Sequence, residues 1–339
     1  MKTNNYLVFI FLILLIFLLP TMVFSQEQVQ KNQENAKEKM TIAYVPRSLD
    51  NPIFLDAFQH AQEKALELDV NLEWVSPFIY NEEDQIEIIE SLIEREVDGM
   101  VVSVNNTENY INVINKAVER GIAVATFDAD APDSNRLFYI GIDNYKAGQA
   151  TAEGLLEVLE KREEDYNNPD KKLNTMIMTG VRGAVNLDLR IEGFKDKIEN
   201  TNINVIDVIE NQDSVNLSVE LLEEYLEDNA DIDIIFFVGG WPFYVPAAAL
   251  PNFQSWVESG GVAVGIDIFY DALLLQQRGL IQYLVGQDMA AMGSKGLESM
   301  HNYLKYGIVP EEFIETSLEI AEDKNLEELL KIHMPWRVK

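Results

Sequence analysis

From residue 40 onward the sequence predicts an α/β protein: two similar doubly wound parallel-sheet lobes joined by a hinge. Three observations carry that expectation. Short apolar runs that do not alternate, such as Thr41–Val45 and Ile232–Val238, read as strands buried on both faces, as parallel sheets require. Between them lie segments whose apolar residues recur three and four apart, the mark of helices packed on a sheet. The series also runs for about twice the length of one ordinary domain. It is interrupted near Tyr139–Tyr145 and near Gln287, where the chain is expected to cross between lobes.

The elements follow in order. Thr41–Val45 is a strand. Ile53–Leu68 is a helix, with Phe54, Ala57, Phe58, Ala61 and Ala65 on one face. Asn71–Val75 is a strand and Glu82–Arg95 a helix carrying Ile86, Ile89 and Ile93 inward. Gly99–Ser103 is a strand, Thr107–Arg120 a helix closed by Gly121, and Ile122–Phe127 a strand. Asp143-Asn144 caps a helix through Lys161, and residues 162–172 are a polar insertion. The second half repeats the pattern: strands at 173–179, 205–210, 232–238, 262–266 and 280–286, and helices at 186–200, 215–227, 247–259, 271–278 and 289–306. This divides the chain into residues 40–142 with 288–312 as the first lobe and 143–287 with 313–339 as the second.

Composition narrows the function. The 57 acidic and 26 basic residues leave a net charge of −31. Nucleic acids and anionic membrane surfaces both need a basic footprint, so neither is an expected partner. Cysteine is absent, which excludes disulfides, thiol nucleophiles and Cys-ligated metals. The three histidines are far apart, without metal spacing. No Gly-x-Ser-x-Gly elbow, phosphate loop or dinucleotide fingerprint is present. Cofactors are not expected. At the N-terminus, Lys2, the apolar run Tyr6–Leu19 and the small residue Ser25 read as a secretory signal over residues 1–25. Residues 26–39 read as a tether, and export to the periplasm follows.

In open parallel sheets a ligand lies beyond the carboxyl ends of the strands. Those positions hold Arg47, Asp50, Asn51 and the nearby Phe54, then Ser103, Asp128 and Asp130 in the first lobe. In the second they hold Asn186 and Arg190, which share a helix face, followed by Trp241, Asp267 and Gln287. Any one of these could merely cap a helix. Together they suit a sugar: carboxylates and amides for vicinal hydroxyls, arginine for paired donation, aromatic rings for the apolar face of a pyranose. Asp128 and Asp130 could also be read as a glycosidase carboxylate pair, but acidic residues are so frequent here that close pairs arise by chance.

The motifs also resemble those of periplasmic sugar-binding proteins of the ribose, galactose and xylose/glucose type, from about Met40 to Tyr306. The stretches are Asn51-Pro52-x-Phe54, Asp98–Ser103, Ala123–Asp130, Tyr139-Ile140-Gly141-x-Asp143-Asn144-Tyr145-x-Ala147-Gly148, Arg190–Phe194, Gly265–Asp267 and Gly286–Asp288. The resemblance implies a type I periplasmic binding protein fold and a non-enzymatic, monomeric receptor. The receptor would close on a monosaccharide and deliver it to an ABC permease of the inner membrane, or engage a chemoreceptor. It implies ligand contacts from Asn51, Phe54, Ser103, Asp128, Arg190, Asp267 and Gln287. The Asp128-x-Asp130 pair with Asn186 and Arg190 is most similar to glucose/xylose members. Ala129 stands where ribose-type members carry arginine, and Gly240-Trp241 replaces their Asn-Asp, which argues against ribose itself. A same-fold sensor for a furanose signal molecule is the alternative. Sugar-responsive repressors share the fold but begin with a basic DNA-binding segment, whereas this chain begins with a signal-like one.

Overall fold

The computed structural model describes residues 39–105, 107–168, 170–229 and 231–334; the signal and most of the tether expected from the sequence lie outside them. The first lobe contains β1 (Thr41–Val45), α1 (Phe54–Leu68), β2 (Asn71–Trp74), α2 (Glu82–Glu94), β3 (Gly99–Val102), α3 (Glu108–Glu119), β4 (Ala123–Phe127) and β5 (Tyr139–Gly141). The second repeats the order with α4 (Asn144–Lys161), β6 (Leu173–Thr179), α5 (Val185–Ile198), β7 (Ile203–Glu210), α6 (Val215–Asp228), β8 (Ile234–Phe237), α7 (Pro251–Glu258), β9 (Val262–Ile266), α8 (Tyr270–Gln277) and β10 (Tyr283–Gln287). The chain ends with α9 (Met289–Tyr306), β11 (Phe313–Glu315), β12 (Leu318–Ala321) and α10 (Leu326–Ile332).

Each lobe has a six-stranded sheet: β11-β5-β4-β3-β1-β2 and β12-β10-β9-β8-β6-β7. The first is parallel throughout; the second is parallel except for β12, which runs antiparallel to β10. The central strands β1, β3, β4, β8 and β9 are buried along nearly their whole length, so apart from Thr41 and the hydrogen-bonded Thr126 they carry no polar side chain and no alternation appears. Helix starts are set by local chemistry. Asn81, Thr107, Asp143, Ser214 and Asp288 each accept a backbone N–H from the first turn. Pro251 begins α7, so the helix expected over 247–259 is divided into a 3₁₀ turn (Ala247–Ala249) and α7.

Two helix pairs decide how the lobes meet the hinge. A Cβ at Gly148 of α4 would lie 2.0 Å from the Arg190 carbonyl of α5, and one at Gly193 would lie 2.1 Å from the Tyr145 carbonyl. Both positions therefore admit only glycine at this spacing. In the first lobe Gly293 of α9 lies equally close to Ala57 of α1.

The structure corrects the organisation at the C-terminal end. Phe313–Glu315 adds parallel to β5 in the first sheet, so the residues from 313 onward do not all belong to the second lobe. The chain crosses a third time at Thr316-Ser317. The three crossings lie side by side: Thr316 N–H donates to the Gly141 carbonyl at 2.8 Å, and Ser317 Oγ to the Asp288 carboxylate at 3.2 Å. β5, β11 and β12 are only three or four residues long, and none carries an apolar run long enough to read as a strand.

Candidate ligand cleft between the lobes

The carboxyl ends of both sheets face one cavity with about 460 Å³ of space between its lining atoms, cleft mouth included. Eight of the ten candidate residues line it: Asn51, Phe54 and Asp128 from the first lobe, and Asn186, Arg190, Trp241, Asp267 and Gln287 from the second. Phe54, at the start of α1, is held edge-on by Phe127 at 5.8 Å. Trp241 sits in a short 3₁₀ turn after β8, over glycines 180 and 239, where a Cβ would collide with its ring.

The other two candidates have different roles. Ser103 is fully buried behind the cavity and donates its hydroxyl to Asp128 at 3.0 Å, orienting that carboxylate. Asp130 is turned away. Its two oxygens take Arg136 Nε at 2.5 Å and Nη2 at 2.7 Å, with Thr126 Oγ1 and the Ala131 N–H also on Oδ1. The carboxylate is gripped by Arg136 and does not line the cavity, so the assignment of Asp130 to the site is corrected. The nearby Arg136, which sequence reasoning gave no role, is what diverts it.

The cavity also uses residues not selected from sequence. Arg47 was visible as a polar residue after β1 but not singled out. Its guanidinium lies 5.2 Å from the Tyr80 ring centroid and meets Asp213 from the second lobe. Asp213 directly precedes the Ser214 cap of α6, so in sequence it reads as helix-start chemistry. Tyr244 comes from the loop after β8 and stacks on Phe269 at 3.9 Å. Nothing in its sequence context marks it.

A polar network runs from the first lobe through the hinge into the second. Tyr139 Oη donates to the Asp128 carbonyl at 2.9 Å, and Asn144 Nδ2 donates to Tyr139 Oη at 3.3 Å. Arg190 Nε then donates to Asn144 Oδ1 at 2.8 Å, and Nη1 to the Val238 carbonyl at 3.0 Å. The ends of β1 and β3 are pinned together by Gln85, whose amide donates to the Pro46 and Ser103 carbonyls. Burial pushes the Asp128 carboxyl above the ordinary carboxylate range, against the opposing pull of Arg190 and Arg47. Burial also raises Asp213, partly offset by Arg47.

Five lining residues carry a buried polar atom with no partner in the protein: Arg47 Nε, Arg190 Nη2, Tyr244 Oη, Asn186 Oδ1 and Gln287 Oε1. Leaving such groups unpaired is costly. Their convergence on one cavity describes a ligand that accepts and donates at several points. Among the described residues no group of three His, Cys, Asp or Glu side chains could hold a metal ion. Nor is any described helix long and apolar enough to cross a membrane.

Residues 42–307 match the periplasmic binding protein domain. The chain belongs to that family. Members of the family are solute-binding proteins rather than enzymes, and its sugar-binding members serve ABC importers. As a periplasmic binding protein the chain is 29% identical over 178 residues to the D-ribose/D-allose-binding protein of Pseudomonas aeruginosa. The alignment covers 50% of this chain and 53% of that one, so it spans about half the length of this curated relative. Among solved structures, GanP, a glucose-galactose binding protein of Geobacillus stearothermophilus, superposes with a TM-score of 0.75 at 26% identity, covering 86% of this chain and 99% of GanP. An ABC transporter solute-binding protein of Burkholderia graminis, solved with D-arabinose, gives 0.76 at 28% identity, covering 86% and 98%. The doubly wound two-lobed architecture expected from the sequence is the fold of these proteins.

Proposed function

We propose that this periplasmic binding protein is exported, with cleavage near Ser25, and captures a neutral pentose or hexose of the glucose/xylose kind between its lobes for delivery to an ABC importer. The observation that carries the reading is the set of five unpaired buried polar atoms around one interlobe cavity. Three are donors or hydroxyls and two are amide oxygens, which suits a polyhydroxylated ring. Phe54, Trp241 and Tyr244 supply the apolar and aromatic wall. The charged lining is three carboxylates against two guanidiniums, so an acidic sugar would enter a site that already carries excess negative charge. GanP and the Burkholderia protein, both named or solved with neutral monosaccharides, support the same ligand class.

Closure draws the two sets of strand-end residues onto opposite sides of the ring, and the closed form presents a joined surface to the permease. Thermal unfolding of the ligand-stripped protein against D-glucose, D-xylose, D-arabinose, D-galactose and D-ribose tests this. A sugar at a hundred times its dissociation constant adds about 2.7 kcal/mol of stability, a midpoint shift of roughly 4–9 °C for a cooperative unit between the whole chain and one lobe in size. No shift with any of these sugars would overturn the reading.

A further inference from the structure

Arg47 and Asp213 belong to different lobes, yet they are joined across the cleft. Arg47 Nη2 meets Asp213 Oδ2 at 2.5 Å, with only 7% and 5% of the two side chains exposed. The other lobe-to-lobe ion pair among the described residues, Lys146 with Glu315, lies at the hinge with both side chains more than half exposed. Exposed pairs of that kind contribute little, whereas breaking a buried pair leaves a charge uncompensated in a dry site.

Both sides of the buried pair are built to hold it. On the first lobe, Pro46 is fixed through its carbonyl by Ser76 and Gln85, and the Tyr80 ring supports the guanidinium. On the second, the turn after β7 places Gln212 and Asp213 at φ of 55° and 58°, two consecutive left-handed residues without glycine. Asn211 holds that turn by accepting the Asp213 N–H at 3.0 Å. Position 180 must be glycine for the carboxylate to lie where it does, because a Cβ there would come within 2.3 Å of Asp213 Oδ1. Strain and a cleared space maintained around one carboxylate point to a role for that carboxylate. Meanwhile Arg47 Nε, on the same planar group, is buried at the cavity wall without a partner.

We propose that Arg47 and Asp213 form a closing latch that couples ligand occupancy to lobe closure through one side chain. Nη2 of Arg47 binds the opposite lobe whether or not the cavity is filled, so the ligand-free protein populates a closed form. Nε takes an acceptor oxygen of the bound sugar, which adds the ligand to the same rigid fork. Asp213 also neutralises Arg47, so the guanidinium offers a neutral sugar a donor without an uncompensated charge. The ligand half of this proposal rests on the sugar reading above; the latch half does not.

The chain has no cysteine, so Glu83→Cys in α2 and Asn216→Cys in α6, both exposed, give a unique label pair spanning the lobes. Pulsed electron-spin distance distributions are measured without ligand and with D-glucose, D-xylose or D-arabinose, on this background and with Asp213→Asn, Arg47→Met or Lys146→Met added. The parent is expected to show a short-distance population without sugar, and Asp213→Asn and Arg47→Met are expected to lose most of it. Saturating sugar restores closure in both. Because apparent affinity scales with the closed fraction, the dissociation constant should rise about tenfold in Asp213→Asn, and about a hundredfold in Arg47→Met, which also loses the Nε donor. Lys146→Met should change neither readout. Ligand-free distributions of Asp213→Asn and Arg47→Met that match the parent, or a parent wholly open without sugar, would overturn the latch. A parent that binds none of the sugars would sink the sugar reading and leave the ligand-free distances to judge the latch by themselves.

Discussion

Asp128 and Asp267 are the same residue of the two lobes. Each directly follows its lobe's fourth strand, and each is left-handed, at φ of 60° and 91°. Each donates its N–H to the fifth strand, Asp128 to Ile140 at 3.1 Å and Asp267 to Val285 at 2.8 Å. Short polar side chains tolerate this backbone region better than bulky ones. The turn presents one carboxylate from each lobe to the cavity. Asp128 is oriented by Ser103, while Asp267 is held by the Gly240 N–H at 2.8 Å and Gln287 Nε2 at 2.7 Å.

Stability should fall as pH rises through the range where the buried carboxyls of Asp128 and Asp213 lose their protons. The folded Asp128 carboxyl is raised above an unfolded value of about 3.9. Between the two values the folded state binds more protons than the unfolded one, so the slope of stability against pH is negative there. Asp213 acts in the same direction. Asp128→Asn should therefore flatten part of the decline in unfolding midpoint as pH rises above about 4. It should also weaken sugar binding roughly 10- to 100-fold by removing a charged acceptor. Midpoints across pH for both proteins, with calorimetric titration, check this; an undiminished slope in the variant would refute the attribution to Asp128.

Arg190→Ala should cost both stability and affinity. Asn144 Oδ1 and the Val238 carbonyl would each lose a buried donor, at about 1–3 kcal/mol per orphaned group. The ligand would lose the Nη2 donor as well, so binding should weaken by more than about a hundredfold. Arg190→Lys should rescue little, because one ammonium cannot span Asn144, Val238 and the ligand as a planar fork does. Denaturation and titration of both variants give the comparison.

Asp130→Asn should separate stability from binding. The bidentate grip on Arg136 would be lost, lowering the unfolding midpoint by a few degrees, about 1–3 kcal/mol. Sugar affinity should stay within about twofold of the parent, since Asp130 does not line the cavity. A large loss of affinity with an unchanged midpoint would restore Asp130 to the site.

Gly148→Ala should act on the ligand from a distance. The new methyl would meet the Arg190 carbonyl and force α4 and α5 apart, at about 1–3 kcal/mol. That displacement moves the backbone carrying Arg190 and Asn186, so affinity should fall about tenfold or more although neither side chain is altered. Titration and unfolding of this variant check it; weakened stability with unchanged affinity would show that α5 moves without its ligand face.

The sequence by itself determined the lobes and most of their contents. Central parallel strands are buried on both faces and must be continuously apolar, so Thr41–Val45 and Val262–Ile266 could be read at their true bounds. The helix cap at Asp143 is local chemistry and equally legible. Because such sheets aim their carboxyl ends at one place, eight of the ten candidate residues reached the cavity. Tertiary structure decided what depends on partners remote in the chain. Asp130 left the site because Arg136 lies six residues on and folds back to claim it. Asp213 became part of the cleft because a residue 166 positions away meets it from the other lobe. β5, β11 and the third crossing were decided there too, since strands of three residues are held by their neighbours' hydrogen bonds and carry no period of their own.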